Sequence, residues 1–178
     1  MNKNVIFIAG IHGVGKTTFC KYISKKYDIK HYLASEIIAE AKKVPFTTLF
    51  IEDVDENQII LINSIKSLNY KNKEYILDGH FCLLNRYKSI ERIPKKTFEL
   101  LSIKTIIILI DNVALIHNRL KNRTGIEYSL DMLDEFQQNE ICYSREIASI
   151  LNVPYIIFDR SSMDECEIDR QLDYIFKK

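Results

Sequence analysis

Gly10-Ile11-His12-Gly13-Val14-Gly15-Lys16-Thr17 fits the pattern G-x-x-x-x-G-K-[ST], and its neighbours decide what that fit is worth. The apolar run Val5-Ile6-Phe7-Ile8 precedes it, and Thr17 to Tyr27 follow with Phe19, Tyr22 and Ile23 at helical spacing. Strand, glycine-rich turn and helix is the order that the pattern requires. Glycines let the backbone bring successive N–H groups around phosphate oxygens, and the helix adds its positive N-terminal end. The expectation is a polyphosphate cradle made by Gly10, His12, Gly13, Val14, Gly15, Lys16, Thr17 and Thr18, with ATP as its ligand. Lys16 would reach the β- and γ-phosphates, Thr17 would ligate Mg²⁺ through its hydroxyl, and Thr18 would donate to an α- or β-phosphate.

Outward from the loop, strands and helices alternate. His31-Tyr32-Leu33 reads as a short extended piece, and Ser35 as the N-cap of a helix over Glu36 to Lys43 that stops before Pro45. Asp55 to Gln58 has capping-box spacing. Ile59, Ile62 and Ile65, with Ile60, Leu61 and Leu68, give a broad apolar stripe for a helix to about Asn69. Tyr75-Ile76-Leu77 is a second apolar strand, ending in Asp78-Gly79-His80. Phe81 to Ile93 reads as a hairpin or an irregular excursion, and Pro94 suits the first turn of a helix over Lys95 to Leu101. Thr105 to Ile110 has the unbroken apolar character of a strand buried on both faces.

A helix over Asn112 to Leu120 comes next, then a polar loop from Lys121 to Tyr128 broken by Gly125, then a long amphipathic helix from Leu130 to Leu151. Pro154 to Phe158 is the last strand. Met163 to Phe176 forms a closing helix with Ile168, Leu172, Ile175 and Phe176 inward. The alternation predicts an α/β protein with the P-loop NTPase fold, a parallel sheet with helices on both faces. Its ligand site lies outside the carboxyl ends of the strands.

Size and charge narrow the classes. The 178 residues suit one domain, and neither an internal repeat nor a Gly/Ser-rich linker divides them. A formal net charge of +1 offers no global basic field for nucleic acid, so the expected partners are small nucleotides. Lys42, Lys43, Lys71, Lys73, Arg86, Lys88, Arg92, Lys95 and Lys96 could make a local patch for nucleic acid, although runs of lysine are ordinarily solvated faces. The longest apolar stretch is too short to span a bilayer, and the N-terminal residues lack a signal-peptide pattern, so the expected address is the cytoplasm. Cys20, Cys82, Cys142 and Cys166 are widely separated and read as reduced, mostly buried thiols.

Further chemistry gathers beyond the loop. Asp78 at a strand end occupies the place of a carboxylate that holds Mg²⁺ directly or through water, although Asp-Gly is also a common turn pair. His80 could contact an acceptor, position a water or support the metal site. Arg119 and Arg123 are one helical turn apart, so both guanidinium groups can point at a transferring phosphate. The candidate catalytic set is Lys16, Asp78, His80, Arg119 and Arg123, with Thr17 and Asp78 as metal ligands.

These residues resemble the archaeal and nuclear types of adenylate kinase, a compact branch of the P-loop nucleoside monophosphate kinases. The likeness rests on the Gly10 to Thr18 loop, the His31 to Glu36 stretch, Asp78-Gly79-His80 and the Arg119 to Arg123 pair. Gln138-Asn139-Glu140-Ile141 on the long helix adds to it. The resemblance implies a single small domain with an acceptor-binding region over about 32–69 and a lid over about 112–127. Both would close over the site and exclude water. It implies transfer of the γ-phosphoryl group of ATP to a nucleoside monophosphate, AMP or dAMP first. There is one departure: no arginine follows Asp78-Gly79, where longer adenylate kinases place one that grips the acceptor's phosphate. Lys42 or Lys43 could replace it, and Gln58 could read a base edge. Two alternatives stay open, a kinase acting on a nucleoside, another small alcohol or a nucleic-acid end, and a regulatory ATPase that acts on a protein partner.

Overall fold

A computed structural model of the chain describes residues 3–43, 54–67, 73–85 and 87–177. The elements run β1 (Val5–Ala9), α1 (Lys16–Tyr27), β2 (Lys30–Leu33), α2 (Ala34–Lys42), α3 (Val54–Ser67), β3 (Tyr75–Asp78), β4 (Cys82–Leu84) and β5 (Ile90–Arg92). They continue with α4 (Lys95–Leu100), β6 (Ile103–Ile110), α5 (Val113–Thr124), α6 (Leu130–Leu151), β7 (Tyr155–Asp159) and α7 (Glu165–Phe176). Five strands form one sheet in the order β2-β3-β1-β6-β7, every pair parallel, while β4 and β5 make a separate antiparallel hairpin.

This order explains where a site can form. The chain leaves β1 toward β2 and β3 on one side, then crosses to β6 and β7 on the other. Connections therefore diverge at the carboxyl end of β1, and a crevice opens there. The register brings Ile8 beside Asp78, Leu33 beside Asp78, and Ile110 beside Asp159, so the strand ends that carry polar residues finish at one edge of the sheet. Beneath that edge, β1 is buried at every position and β6 at six of its eight. Phe7, Phe81 and Phe98 pack ring against ring, with Phe7 edge-on to Phe81 at 5.1 Å and Phe81 stacked on Phe98 at 4.6 Å.

Several boundaries depart from the sequence expectation, each for a physical reason. The cap of α2 is Leu33 rather than Ser35: the extended backbone of β2 runs straight into the helix, and no side chain caps it. The expected loop after Leu120 is a further helical turn of α5, to Thr124. Lys121, Asn122 and Arg123 are its solvated face, and Gly125, at φ 69°, is the C-cap. The stripe of α3 is narrower than expected, since Leu61 and Ile62 are buried while Ile59 is exposed. Phe81 to Ile93 resolves as the β4–β5 hairpin. Cys20 and Cys82 are buried but Cys142 and Cys166 lie on the outer faces of α6 and α7, so only half of the thiols match the expectation. Pro45, Leu68, Asn69, Lys71 and Arg86 lie outside the described residues. Among the described residues, no helix is long and apolar enough to cross a membrane.

Candidate functional site

The loop between β1 and α1 has the torsions that its glycines allow. Gly15, at φ 100°, caps α1 with no side-chain acceptor, and the first turn of that helix holds no acid, so its leading N–H groups face outward with their partial positive charge. At Gly10, a Cβ would fall 2.3 Å from the Leu109 carbonyl oxygen, which bars any side chain where β1 hands over to the loop. Lys16 folds back into this cradle. Its buried Nζ donates to the carbonyls of Gly10 at 2.7 Å and Ile11 at 3.2 Å. Burial lowers its pKa, and the carboxylates of Asp78 and Glu140 oppose that shift. Val14 and Gly13 carry their own anchors: Arg160 donates to Val14 O at 2.9 Å, and Arg119 reaches Gly13 O at 3.3 Å.

Thr17 and Asp78 meet across the gap between α1 and β3, the hydroxyl donating to Oδ2 at 3.1 Å. A hydroxyl and a carboxylate side by side are hard oxygen donors of the kind Mg²⁺ takes, so the chemistry of the pair fits that ion. Thr18 is exposed at the outer side of the same turn.

His12 and His80 face one another at the mouth of the loop, ring centroids 4.3 Å apart. Both residues are half-buried, and Nε2 of His12 and Nδ1 of His80 are buried and without a hydrogen-bond partner. Burial first, then the charges of Lys16 and Arg123, bring His12 down to about 3. Burial, Lys16 and His12 hold His80 well below its ordinary value. Both rings are neutral at physiological pH and add no charge to an anion site.

The expected arginine pair is only partly free. Arg119 donates to the buried carboxylate of Asp111, just past the end of β6, at 2.7 Å, so its guanidinium is held against the loop. Arg123 is exposed, and close enough to Lys16 and His12 to act on both electrostatically. Lys42, a candidate for gripping an acceptor phosphate, is paired with Glu56 at 2.9 Å. Gln58 is buried within α3.

One acid does structural work that the sequence did not reveal. Glu140 of α6, 1% exposed, accepts from the backbone N–H groups of Gly10 at 3.2 Å, Phe81 at 2.9 Å and Cys82 at 2.6 Å. It ties the start of the phosphate loop to the turn after Asp78. One helical turn earlier, Gln137 brackets Asp111, accepting from its N–H at 3.2 Å and donating to its carbonyl at 3.1 Å. Polar residues at 137, 140 and 144 inside an otherwise apolar stripe were the available signal.

Burial raises Glu140 from 4.5 to about 7 against the pull of its N–H donors and Lys16. A folded-state pKa above the unfolded one contributes stability that is complete below about pH 4.5 and is lost as pH rises through about 7. The part of the unfolding free energy that belongs to Glu140 should therefore fall by on the order of 3 kcal/mol across that window. Glu140→Gln should lose this slope and carry a constant cost of about 1–3 kcal/mol, because its amide NH₂ faces N–H donors. Urea titrations of both proteins at about pH 5 and about pH 8 check it. Equal slopes would place the titration elsewhere.

Comparison with known proteins follows the same lines. Among curated proteins, an adenylate kinase of Mycoplasma mobile is 36% identical over 97 residues, a match that takes in 48% of this chain and 44% of the relative. The chain thus spans less than half the length of that relative. The shikimate kinase of Acinetobacter baumannii, solved in complex with shikimate, superposes with a TM-score of 0.64 at 16% identity, over 98% of this chain and 93% of that one. A shikimate kinase of Bacteroides thetaiotaomicron gives 0.60 at 18%, over 98% and 96%. A gluconokinase of Sinorhizobium meliloti gives 0.55 at 15%, over 98% and 94%. At such identities these three speak for the fold, a P-loop α/β sheet flanked by helices. A family model described as an AAA domain matches residues 9–137, from the last residue of β1 into α6, and takes in the loop, Asp78 and both α5 arginines. With most of its length matched in this way, the chain belongs to that AAA domain family, AAA_17.

Proposed function

We propose that this chain is an ATP-dependent phosphotransferase that moves the γ-phosphoryl group to a nucleoside monophosphate, AMP or dAMP first. The observation that carries the reading is the convergence of Lys16, Thr17 and Asp78 at the ends of β1 and β3, a buried ammonium beside a hydroxyl–carboxylate pair. The adenylate kinase relative supports a nucleotide acceptor, as does the likeness to the archaeal and nuclear branch in Asp78-Gly79-His80 and the α5 arginines.

In this reading the backbone of residues 10–18 holds the ATP phosphates, and Lys16 leaves the Gly10 carbonyl to bind β- and γ-oxygens. Thr17 and Asp78 would hold Mg²⁺, which supplies charge neutralisation to the phosphates when bound. An anionic oxygen of the acceptor attacks the γ-phosphorus, the bond to the β,γ-bridging oxygen breaks, and ADP leaves with that electron pair. No proton has to move. Arg119, already seated on the loop carbonyls, and Arg123, one turn on, spread positive charge over the transferring group. The neutral His80 and His12 shape the acceptor side without repelling Lys16. Residues 112–127 act as the lid and 32–69 as the acceptor-binding region of one domain.

One observation favours a second reading, a hydroxyl acceptor. The residue after Asp78-Gly79 is an uncharged histidine, and Lys42 is occupied by Glu56, so the grip on an acceptor phosphate is weak here. Asp78 would then take the hydroxyl proton as general base. ATP labelled at its γ-phosphate, incubated with the protein and a panel of nucleoside monophosphates, nucleosides, cyclitols and sugar acids, separates the two. Label should appear in ADP or dADP above the rate of hydrolysis. Label only in an alcohol's phosphate selects the second reading, and label only in inorganic phosphate rejects both.

A further inference from the structure

α1 turns Thr17 and Cys20, three residues apart, toward the same side of the sheet. On that sheet, His31 of β2 lies opposite Ile76 and diagonal to Asp78, and with a period of two along each strand these residues share a face. The result is a compact trio: one ligand atom each from Cys20, His31 and Asp78, all within 4.8 Å of one another. His31 Nε2 stands 3.8 Å from Asp78 Oδ2, too far for a hydrogen bond, and the two side chains are 7% and 6% exposed. That Nε2 is buried with no hydrogen-bond partner at all. A buried ring nitrogen left unsatisfied loses its hydration with nothing in return. It lies near the Asp78 carboxylate, and the imidazole that carries it sits beside a fully buried sulfur.

We propose that Cys20, His31 and Asp78 form a binding site for a borderline-soft divalent transition metal of the zinc type, separate in chemistry from a magnesium site. Sulfur and imidazole are poor ligands for Mg²⁺ and good ones for Zn²⁺. Bonds of about 2.0–2.3 Å put tetrahedral donors roughly 3.3–3.7 Å apart, so small side-chain rotations close the trio around one ion. The fourth position is left for water or a phosphate oxygen. On binding, the Cys20 S–H bond breaks, its proton passes to solvent, and a metal–sulfur bond forms with no change in oxidation state. Because Asp78 is shared, a bound ion draws it from Thr17, and zinc and Mg·ATP should exclude one another. That last consequence rests on the phosphotransferase reading; the metal site itself does not.

The test uses the full chain carrying Cys142→Ser and Cys166→Ser, which removes the exposed thiols. Titration with Co²⁺ should give a thiolate-to-cobalt charge-transfer band, and zinc competition against a chelating dye should give one ion per chain. Adding Cys20→Ser should abolish the band and weaken zinc by at least about 100-fold, and His31→Gln should weaken zinc as much while keeping the band. Absence of the band before Cys20 is changed, or zinc affinity untouched by His31→Gln, overturns the site. If Cys20→Ser does not fold, His31→Gln alone decides. Mg·ATP is then added to the cobalt-loaded protein. Loss of the band is expected, and a band that survives saturating Mg·ATP counts against Thr17 and Asp78 as the magnesium pair and leaves the transition-metal site standing.

Discussion

Lys16→Met should lower phosphoryl transfer by about 10²–10³-fold or more while the protein stays folded. Methionine retains the apolar stem that packs beside the loop and removes only the ammonium. Among the described residues, that ammonium is the one buried cation, with its charge set against Asp78 and Glu140. The α5 arginines do not take its position: Arg119 is half-buried and anchored to Asp111, and Arg123 is exposed one turn further along α5. The charge that accumulates on the β- and γ-oxygens during transfer would then lose the ammonium that lies inside the loop, leaving the backbone dipoles, the metal and the α5 arginines to meet it. Steady-state ADP formation and calorimetry with Mg·ATP check it. A rate within about threefold of the unaltered protein would remove Lys16 from the chemistry and with it the main support for the phosphotransferase reading.

The loop was legible because all its determinants are consecutive. Glycine spacing, the preceding apolar strand and the following helix sit within one local stretch, and the folded loop has the positive φ values that such spacing demands. Asp78 was legible for a related reason, as a polar residue closing an apolar run, and the register beside Ile8 puts it at the mouth of the site. Residues that hold the loop from afar were not. Arg160 is 146 residues from the carbonyl it anchors, and Glu140 is 130 residues from Gly10. Nothing local marks an arginine after the last strand as a partner of the first loop. His31 entered as part of an extended piece and of a stretch that carries the family likeness, with no partner assigned, because its approach to Asp78 depends on β2 being the edge strand beside β3. The α5 boundary was misplaced because a run of Lys, Asn and Arg reads as loop until its opposite face is known to be buried through Ile116 and Leu120.

Asp78→Asn should cut transfer by about 10²–10³-fold, and the way it does so distinguishes the two acceptor classes. Asparagine keeps the shape of the side chain and can still accept from the Thr17 hydroxyl, so the β3–α1 contact at 3.1 Å survives. What disappears is one negative charge beside a polyphosphate. ATP without metal should then bind as well as before or better, since a repulsion has been removed, while the benefit of adding Mg²⁺ should shrink. With a monophosphate acceptor the carboxylate holds metal and moves no proton, so raising Mg²⁺ or supplying Mn²⁺ should recover much of the lost rate. A hydroxyl acceptor also needs its proton taken, and an amide cannot take it at any metal concentration. Rate against metal concentration therefore assigns the acceptor class from the enzyme side. Full activity of the variant at ordinary Mg²⁺ would show that Asp78 serves only the turn before Gly79.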